Sequence, residues 1–296
     1  MLPADVLRQV RRLHLRARRA VQTVLGGEYR SAFKGAGLSF EEVRAYQPGD
    51  DVRTIDWNVT ARTGQPFIKR FVEERELTLL LVVDVSGSQR FGTGPTTKRA
   101  AAAELAALLS LAAAGNNDRV GLVAFSSAVE RFVRPDKGPR HVLRLLRDIL
   151  AFEPEHKGTD LTAALDFVNK VQRRRAVVFL LSDFLGGGYE RAFRRTARKH
   201  DLVAVRTADP RERTWPAAGL VRLEDAETGR QRVIDTGSRR FREGFAARAA
   251  ARDAAFLKLA RGAGADVIEA GTDGRHFDAL LGFFRARDRR HRGGRG

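Results

Sequence analysis

Residues 78–88 read TLLLVVDVSGS, an apolar run that stops at Asp84 and continues with hydroxyl side chains at alternate positions, Ser86 and Ser88. Val82 and Val83 are β-branched, the run is too short for a typical helix, and Gly87 follows. Leu77 to Asp84 therefore reads as a fully buried parallel strand. The DVSGS loop then lies at the strand's carboxyl end. In open α/β sheets ligands bind there, where neighbouring connections leave in opposite directions. A simpler alternative is that Asp84, Ser86 and Ser88 only cap the next helix, since Asp and Ser are favoured at that position.

Two further stretches argue for more than a cap. Gly158-Thr159-Asp160 precedes the apolar-periodic LTAALDFVNKV, and residues 176–184, AVVFLLSDF, repeat the buried-strand pattern with a second carboxylate, Asp183. Two carboxylates at two strand ends and three hydroxyls in adjoining loops make an all-oxygen set suited to a hard divalent cation. Magnesium suits it better than zinc, with calcium or manganese as alternatives, because the chain has no cysteine and no histidine beside these loops.

DVSGS, the threonine of KGTD and the aspartate of LLSDF resemble the metal-ion-dependent adhesion site of von Willebrand factor A domains, whose pattern is Asp-x-Ser-x-Ser, a distant Thr and a later Asp. The resemblance implies that Ser86, Ser88 and Thr159 offer hydroxyl oxygens to the metal. It also implies that Asp84 and Asp183 hold the metal's bound waters and balance its charge, and that one coordination position is open to an acidic side chain from a partner. Two positions depart from the adhesion-type pattern: Gln89 stands where many relatives have methionine, and Phe184 where glycine is usual.

At 296 residues the chain can hold one α/β domain of roughly 200 residues and a smaller appended unit. The absence of cysteine excludes disulfides, thiolate metal sites and cysteine nucleophiles. The amino-terminal residues have no apolar run of signal-peptide quality and no window approaches a membrane span, so a cytoplasmic protein is expected. The formal charge of +18 invites a nucleic-acid or anionic-membrane reading. The basic residues are mostly Arg in an Ala-rich chain, however, and they cluster only at Arg8–Arg19 and Arg285–Arg295, without interleaved aromatics. Nucleic acid is not the expected partner; peripheral membrane contact stays open.

Along the chain, residues 1–27 read as an amphipathic helix over Asp5 to Leu25, ended by Gly26 and Gly27. Residues 28–76 read as an irregular, strand-containing module packed on the main domain, with short β-type runs at Val52–Trp57 and Pro66–Val72. Its charged residues Glu41, Arg44, Asp50, Asp51, Arg53, Asp56 and Arg62 alternate in sign and are expected to pair with one another. Residues 77–286 alternate strands with helices, which gives an α/β domain with a doubly wound, mostly parallel sheet and an inserted hairpin near 211–236. Val129–Val133 reads as an edge strand, His276–Arg285 as the closing helix, and 287–296 as a basic disordered tail.

The stretch GAGLSFEEVRAYQPGDDVRTIDWNVTAR resembles the signature that precedes the von Willebrand-like domain in the domain of unknown function 58 family, and the resemblance continues through DLVAVRTADPRERTWPAAGLVRLEDAETG and GADVIEAGTDGRHFDALLGFF. It implies a von Willebrand factor A/Rossmann-like fold and a MoxR-type AAA+ ATPase as partner, in assembly or maturation of client complexes. Enzyme readings find no support: there is no P-loop, no G-x-G-x-x-G, no G-x-S-x-G elbow, and no second aspartate in a phosphatase-type Asp-x-Asp. The expectation is a non-enzymatic, metal-dependent protein-binding module. The competing expectation is an arginine-driven binder of nucleic acid or anionic membrane surfaces, recognisable by steep salt dependence without a metal requirement.

Overall fold

A computed structural model of the chain describes residues 4–33, 42–48, 50, 52, 55–70, 76–156 and 158–293. It resolves into two compact units, residues 33–77 and the remainder.

In the larger unit α1 (Ala4–Ala20) runs through a π-helical stretch, Val21–Leu25, directly into α2 (Gly26–Ala32). Gly26 and Gly27 therefore do not end the helix, as the sequence suggested. Gly26 is helical, its N–H bonds to the Val21 carbonyl, and a Cβ on it would stand 3.1 Å from that oxygen. The missing side chain is what lets the wider turn close. α2 then buries Tyr29, whose hydroxyl donates to Asp118 at 3.1 Å and whose ring meets Phe284 edge-on.

The small unit, taken by itself, pairs β1 (Glu42–Ala45) antiparallel with β2 (Phe67–Arg70), and α3 (Trp57–Thr63) lies between them in sequence. Of the expected strand at Val52–Trp57, Arg53 and Thr54 lie outside the described residues; among the others Ile55 makes only an isolated bridge with Ile68, Trp57 already opens α3, and the Asp56 carboxylate accepts the Val59 N–H at 3.3 Å, an N-cap that starts a helix. Of the expected ion pairs Arg44–Asp50 is present at 2.7 Å, whereas Glu41, Asp51 and Arg53 lie outside the described residues.

Continuing in the large unit, β3 (Thr78–Asp84), α4 (Lys98–Gly115), β4 (Arg119–Phe125), β5 (Val129–Asp136), α5 (Pro139–Ala151), α6 (Leu161–Val171), β6 (Val177–Ser182), α7 (Glu190–Lys199), β7 (Asp201–Ala208), β8 (Leu220–Glu224), β9 (Gln231–Asp235), α8 (Arg239–Ala263), β10 (Asp266–Gly271) and α9 (His276–Gly293) follow. Six strands form one sheet in the order β10-β7-β6-β3-β4-β5, parallel except for β5, which pairs antiparallel with β4 at the edge. β8 and β9 pair only with each other. Both faces of the sheet are covered. Leu80, Val82, Val123, Val178 and Leu180 pack with α6, α7 and α8, while Leu79, Leu81 and Val83 are equally buried on the face touched by α4. Each such aliphatic side chain contributes about 1.5–3 kcal/mol of burial.

From β3 the chain moves through α4 to β4 on one side; from β6 it moves through α7 to β7 and through α8 to β10 on the other. The connections diverge between the adjacent strands β3 and β6, which carry Asp84 and Ser182 at their carboxyl ends. The closing helix also runs past Arg285 to Gly293, so residues 287–293 are not a disordered tail. Arg287 is buried and pairs with Asp201 and Asp266, and Arg290 pairs with Asp266 at 2.8 Å, which anchors the last turns.

Candidate cation site at the ends of β3 and β6

The loop after β3 does not cap α4. Thr97 does, accepting the Ala100 N–H at 3.2 Å, and Ser86, although it precedes a short 3₁₀ turn at Gly87–Arg90, makes no side-chain cap bond. The hydroxyls turn inward instead. Asp84 Oδ1 accepts the Ser86 N–H at 3.0 Å, Ser86 Oγ stands 3.1 Å from Ser88 Oγ, and Ser88 Oγ donates to Asp183 Oδ2 at 2.9 Å. Ser86, Ser88 and Asp183 thus form a continuous run of oxygens across the divergence point, and Asp84, the fourth of the five residues singled out by sequence, joins it through the Ser86 backbone N–H. Adjacent oxygens around an octahedral magnesium ion, each about 2.0–2.1 Å from it, stand about 3 Å apart, so these spacings and the donor chemistry fit a hard cation.

The fifth, Thr159, sits immediately before the Asp160 N-cap of α6 and is tied to the end of β4 through the Asp160 N–H, which donates to the Ser126 carbonyl at 2.8 Å. Its Oγ1 donates to Glu227 Oε1 at 2.8 Å rather than to the serines or aspartates. Glu227 lies in the turn between β8 and β9, and the carbonyl of the preceding residue, Ala226, stands 2.5 Å from the place a Cβ on Gly87 would take. Gly87 separates Ser86 from Ser88, so the hairpin tip joins the threonine loop to the serine loop.

Several contributors lay outside the sequence reading. Ser182 Oγ donates to Asp84 Oδ2 at 2.7 Å, and Gln89 reaches from Asp84 Oδ2 (3.4 Å) to the Thr207 hydroxyl (3.0 Å). The fully buried ammonium of Lys98, first residue of α4, lies 2.7 Å from Asp183 Oδ2 and 2.5 Å from Glu212 Oε1. Ser182 is visible in hindsight as the single hydroxyl in AVVFLLSD. Lys98, Glu212 and Glu227 carry no local signal, because a lysine opening an alanine-rich helix and a glutamate in a turn ordinarily face water.

Electrostatics follow from this packing. Burial raises the Asp84 carboxyl to a pKa of about 6, helped by the charge of Asp183 and opposed by hydrogen bonds from Ser182 and Ser86. Burial pulls Lys98 down, but the carboxylates of Asp183 and Glu212 outweigh it and leave the ammonium above the ordinary lysine range. Two carboxylates, Asp183 and Glu212, thus flank one buried ammonium. Among the described residues no group of three or more His, Cys, Asp or Glu side chains converges as a metal cluster by itself, so the hydroxyls are indispensable to any cation site here.

Phe184, next after Asp183, adopts a left-handed backbone with φ of 55°. Glycine would enter that region freely, whereas a phenylalanine is strained there. Its ring explains the exception, packing 4.5 Å from Phe256 and against Tyr189 and Phe193. The turn aims the Leu185 N–H at Asp183 Oδ1, 3.2 Å away.

The family described as "Protein of unknown function DUF58" matches residues 42–255. The chain belongs to this DUF58 family. Among its relatives, the uncharacterized proteins Mb1516 of Mycobacterium bovis and Rv1480 of Mycobacterium tuberculosis are each 36% identical over 269 residues, covering 89% of this chain and 84% of theirs. Among solved structures, an aerotolerance-related membrane protein from Bacteroides fragilis is similar with a TM-score of 0.47 at 15% identity, covering 71% of this chain and 99% of that one. The conserved hypothetical protein BatB from Bacteroides thetaiotaomicron gives a TM-score of 0.44 at 14% identity, with coverage of 72% and 99%. In this DUF58 chain, no helix among the described residues is long and apolar enough to cross a membrane.

Proposed function

We propose that the chain is a non-enzymatic, cytoplasmic docking module whose affinity for partners depends on a divalent cation. The cation is magnesium, with calcium or manganese as alternatives. Ser86, Ser88 and Thr159 would supply hydroxyl ligands, and Asp84 and Asp183 the compensating charge. The bound ion would act as a Lewis acid that attracts an acidic side chain of a partner. What supports the reading above all is the run of oxygens Ser86–Ser88–Asp183, spaced about 3 Å apart at the divergence point of the sheet, with Asp84 tied to it through the Ser86 backbone N–H. The partner implied by the family resemblance is a MoxR-type AAA+ ATPase acting on assembling client complexes. The chain's own groups prepare the site: Ser182 and Gln89 fix the Asp84 carboxylate, and Lys98 orients Asp183.

The test is calorimetric titration of magnesium into the EDTA-treated chain and into Asp84→Ala, followed by binding to the co-expressed ATPase with and without EDTA. Magnesium heat lost in Asp84→Ala, together with ATPase binding abolished by EDTA, is the expected result; binding indifferent to both removes the proposal. The arginine-driven alternative has its best surface on α7, where Arg191, Arg194, Arg195, Arg198 and Lys199 line one shallow depression. It would show instead as binding that falls steeply with salt and ignores chelation.

A further inference from the structure

The β8–β9 hairpin is set apart from everything around it. Its strands pair only with each other, and Leu220 and Val233 are largely exposed, so the stem has little packing of its own. An isolated two-stranded ribbon is marginally stable in water. Its tip, in contrast, is tightly specified. Asp225 Oδ1 accepts the N–H groups of Glu227 at 3.0 Å and Thr228 at 2.8 Å, the Gly229 N–H returns to the Asp225 carbonyl, and Gly229 takes the left-handed φ of 70° that the reversal requires. That turn directs one functional group at the body of the protein, the Glu227 carboxylate.

Where it goes is specific. Glu227 Oε1 stands 2.8 Å from Thr159 Oγ1, the same separation within a few tenths as Ser86–Ser88 and Ser88–Asp183. It is the separation of neighbouring oxygens in one octahedral shell. The carbonyl beside it presses on Gly87, at the centre of the serine loop, so tightly that a Cβ there would lie 2.5 Å from it. The tip thus brings an acidic side chain to the two loops that hold the hydroxyl ligands.

We propose that Glu227 is the chain's own carboxylate ligand at the open coordination position, an inference that rests on the cation-site reading above. Without a cation, the Glu227 carboxylate is held by the Thr159 hydroxyl. With one, it is held by the ion. The cation therefore closes the hairpin tip onto the site, and an acidic partner side chain must displace Glu227 to reach the metal. The free chain is self-capped.

The experiment combines magnesium titration calorimetry with hydrogen–deuterium exchange of residues 225–229, on the full chain, on Glu227→Gln, and on Glu224→Gln as a control on the same hairpin. Expected are an approximately tenfold slowing of tip exchange on adding magnesium to the wild type, no slowing in Glu227→Gln, and a magnesium affinity about tenfold weaker in that variant. The control should behave as wild type. Wild type and Glu227→Gln binding magnesium equally, or a control that loses as much as Glu227→Gln, overturns the role of Glu227 and leaves the cation site standing. A wild type that takes up no magnesium overturns the site, and the inference with it.

Discussion

Lys98 offers the sharpest test of how the site is held together. Replacing it by methionine keeps the stem and removes the ammonium, so Asp183 and Glu212 are left facing each other in a region where Lys98 itself has no solvent exposure. At an effective dielectric of about 20, a pair at 2.7 Å carries roughly 6 kcal/mol of Coulomb attraction. Desolvation cancels much of this, and breaking one side of a buried pair typically costs about 3–5 kcal/mol. For a chain of this size that corresponds to a fall in Tm on the order of 10 °C. Urea unfolding and thermal melts in EDTA should show it for Lys98→Met. The double variant Lys98→Met/Glu212→Gln should recover at least about 1 kcal/mol, because one of the stranded charges is gone. Magnesium should also recover part of the loss in Lys98→Met, since a cation supplies the missing charge. A Lys98→Met variant that melts within a degree or two of wild type in EDTA would refute the view that this ammonium holds the carboxylates in place.

Three further outcomes follow from the geometry. Gly87→Ala should push the hairpin tip away, seen as exchange of residues 225–229 at least about tenfold faster while overall stability falls only about 1–2 kcal/mol; unchanged exchange would mean the serine loop yields instead. His200 is buried, neither ring nitrogen has a hydrogen-bond partner among the described residues, and burial together with Lys199 and Arg175 holds its pKa near 4. The unfolded chain therefore takes up the proton first as pH falls, and His200 should cost about 3 kcal/mol of stability between pH 6.5 and 4. Because Asp84 shifts the opposite way, the effect is read as the difference between wild type and His200→Leu in urea unfolding, and a pH-independent difference contradicts it. Phe184→Gly should be about 1 kcal/mol more stable than Phe184→Ala, the reverse of the ordinary order, because both lose the ring and only glycine relaxes the φ of 55°. Equal stabilities would show that the backbone there is not strained.

The sheet and the carboxylates at its strand ends were legible because buried parallel strands announce themselves as apolar runs, and a carboxylate at the end of one has few reasons to be there. The helix that opens the chain was misread at Gly26 because glycine signals both a stop and a close carbonyl approach, and only the Val21 contact tells them apart. The carboxyl-terminal arginines read as a solvated tail because their partners, Asp201 and Asp266, are distant or ordinary in sequence. The partners of Thr159 and Asp183 were missed for a similar reason. Glu227 lies 68 positions from Thr159, and Lys98 lies 85 from Asp183, separations across which no periodicity or capping rule carries information.

The self-contained pairing of β8 with β9 carries one more consequence. Their ladder shares no register with the central sheet, so stem residues can be inserted or deleted two at a time, preserving which side chains face inward, without shifting the register of the six core strands. Changing the reach of the arm in this way would alter how far its terminal acid extends while leaving the scaffold beneath it intact. On the proposed reading, recognition is separable from folding, and grafted arms of different length offer a route to retarget it.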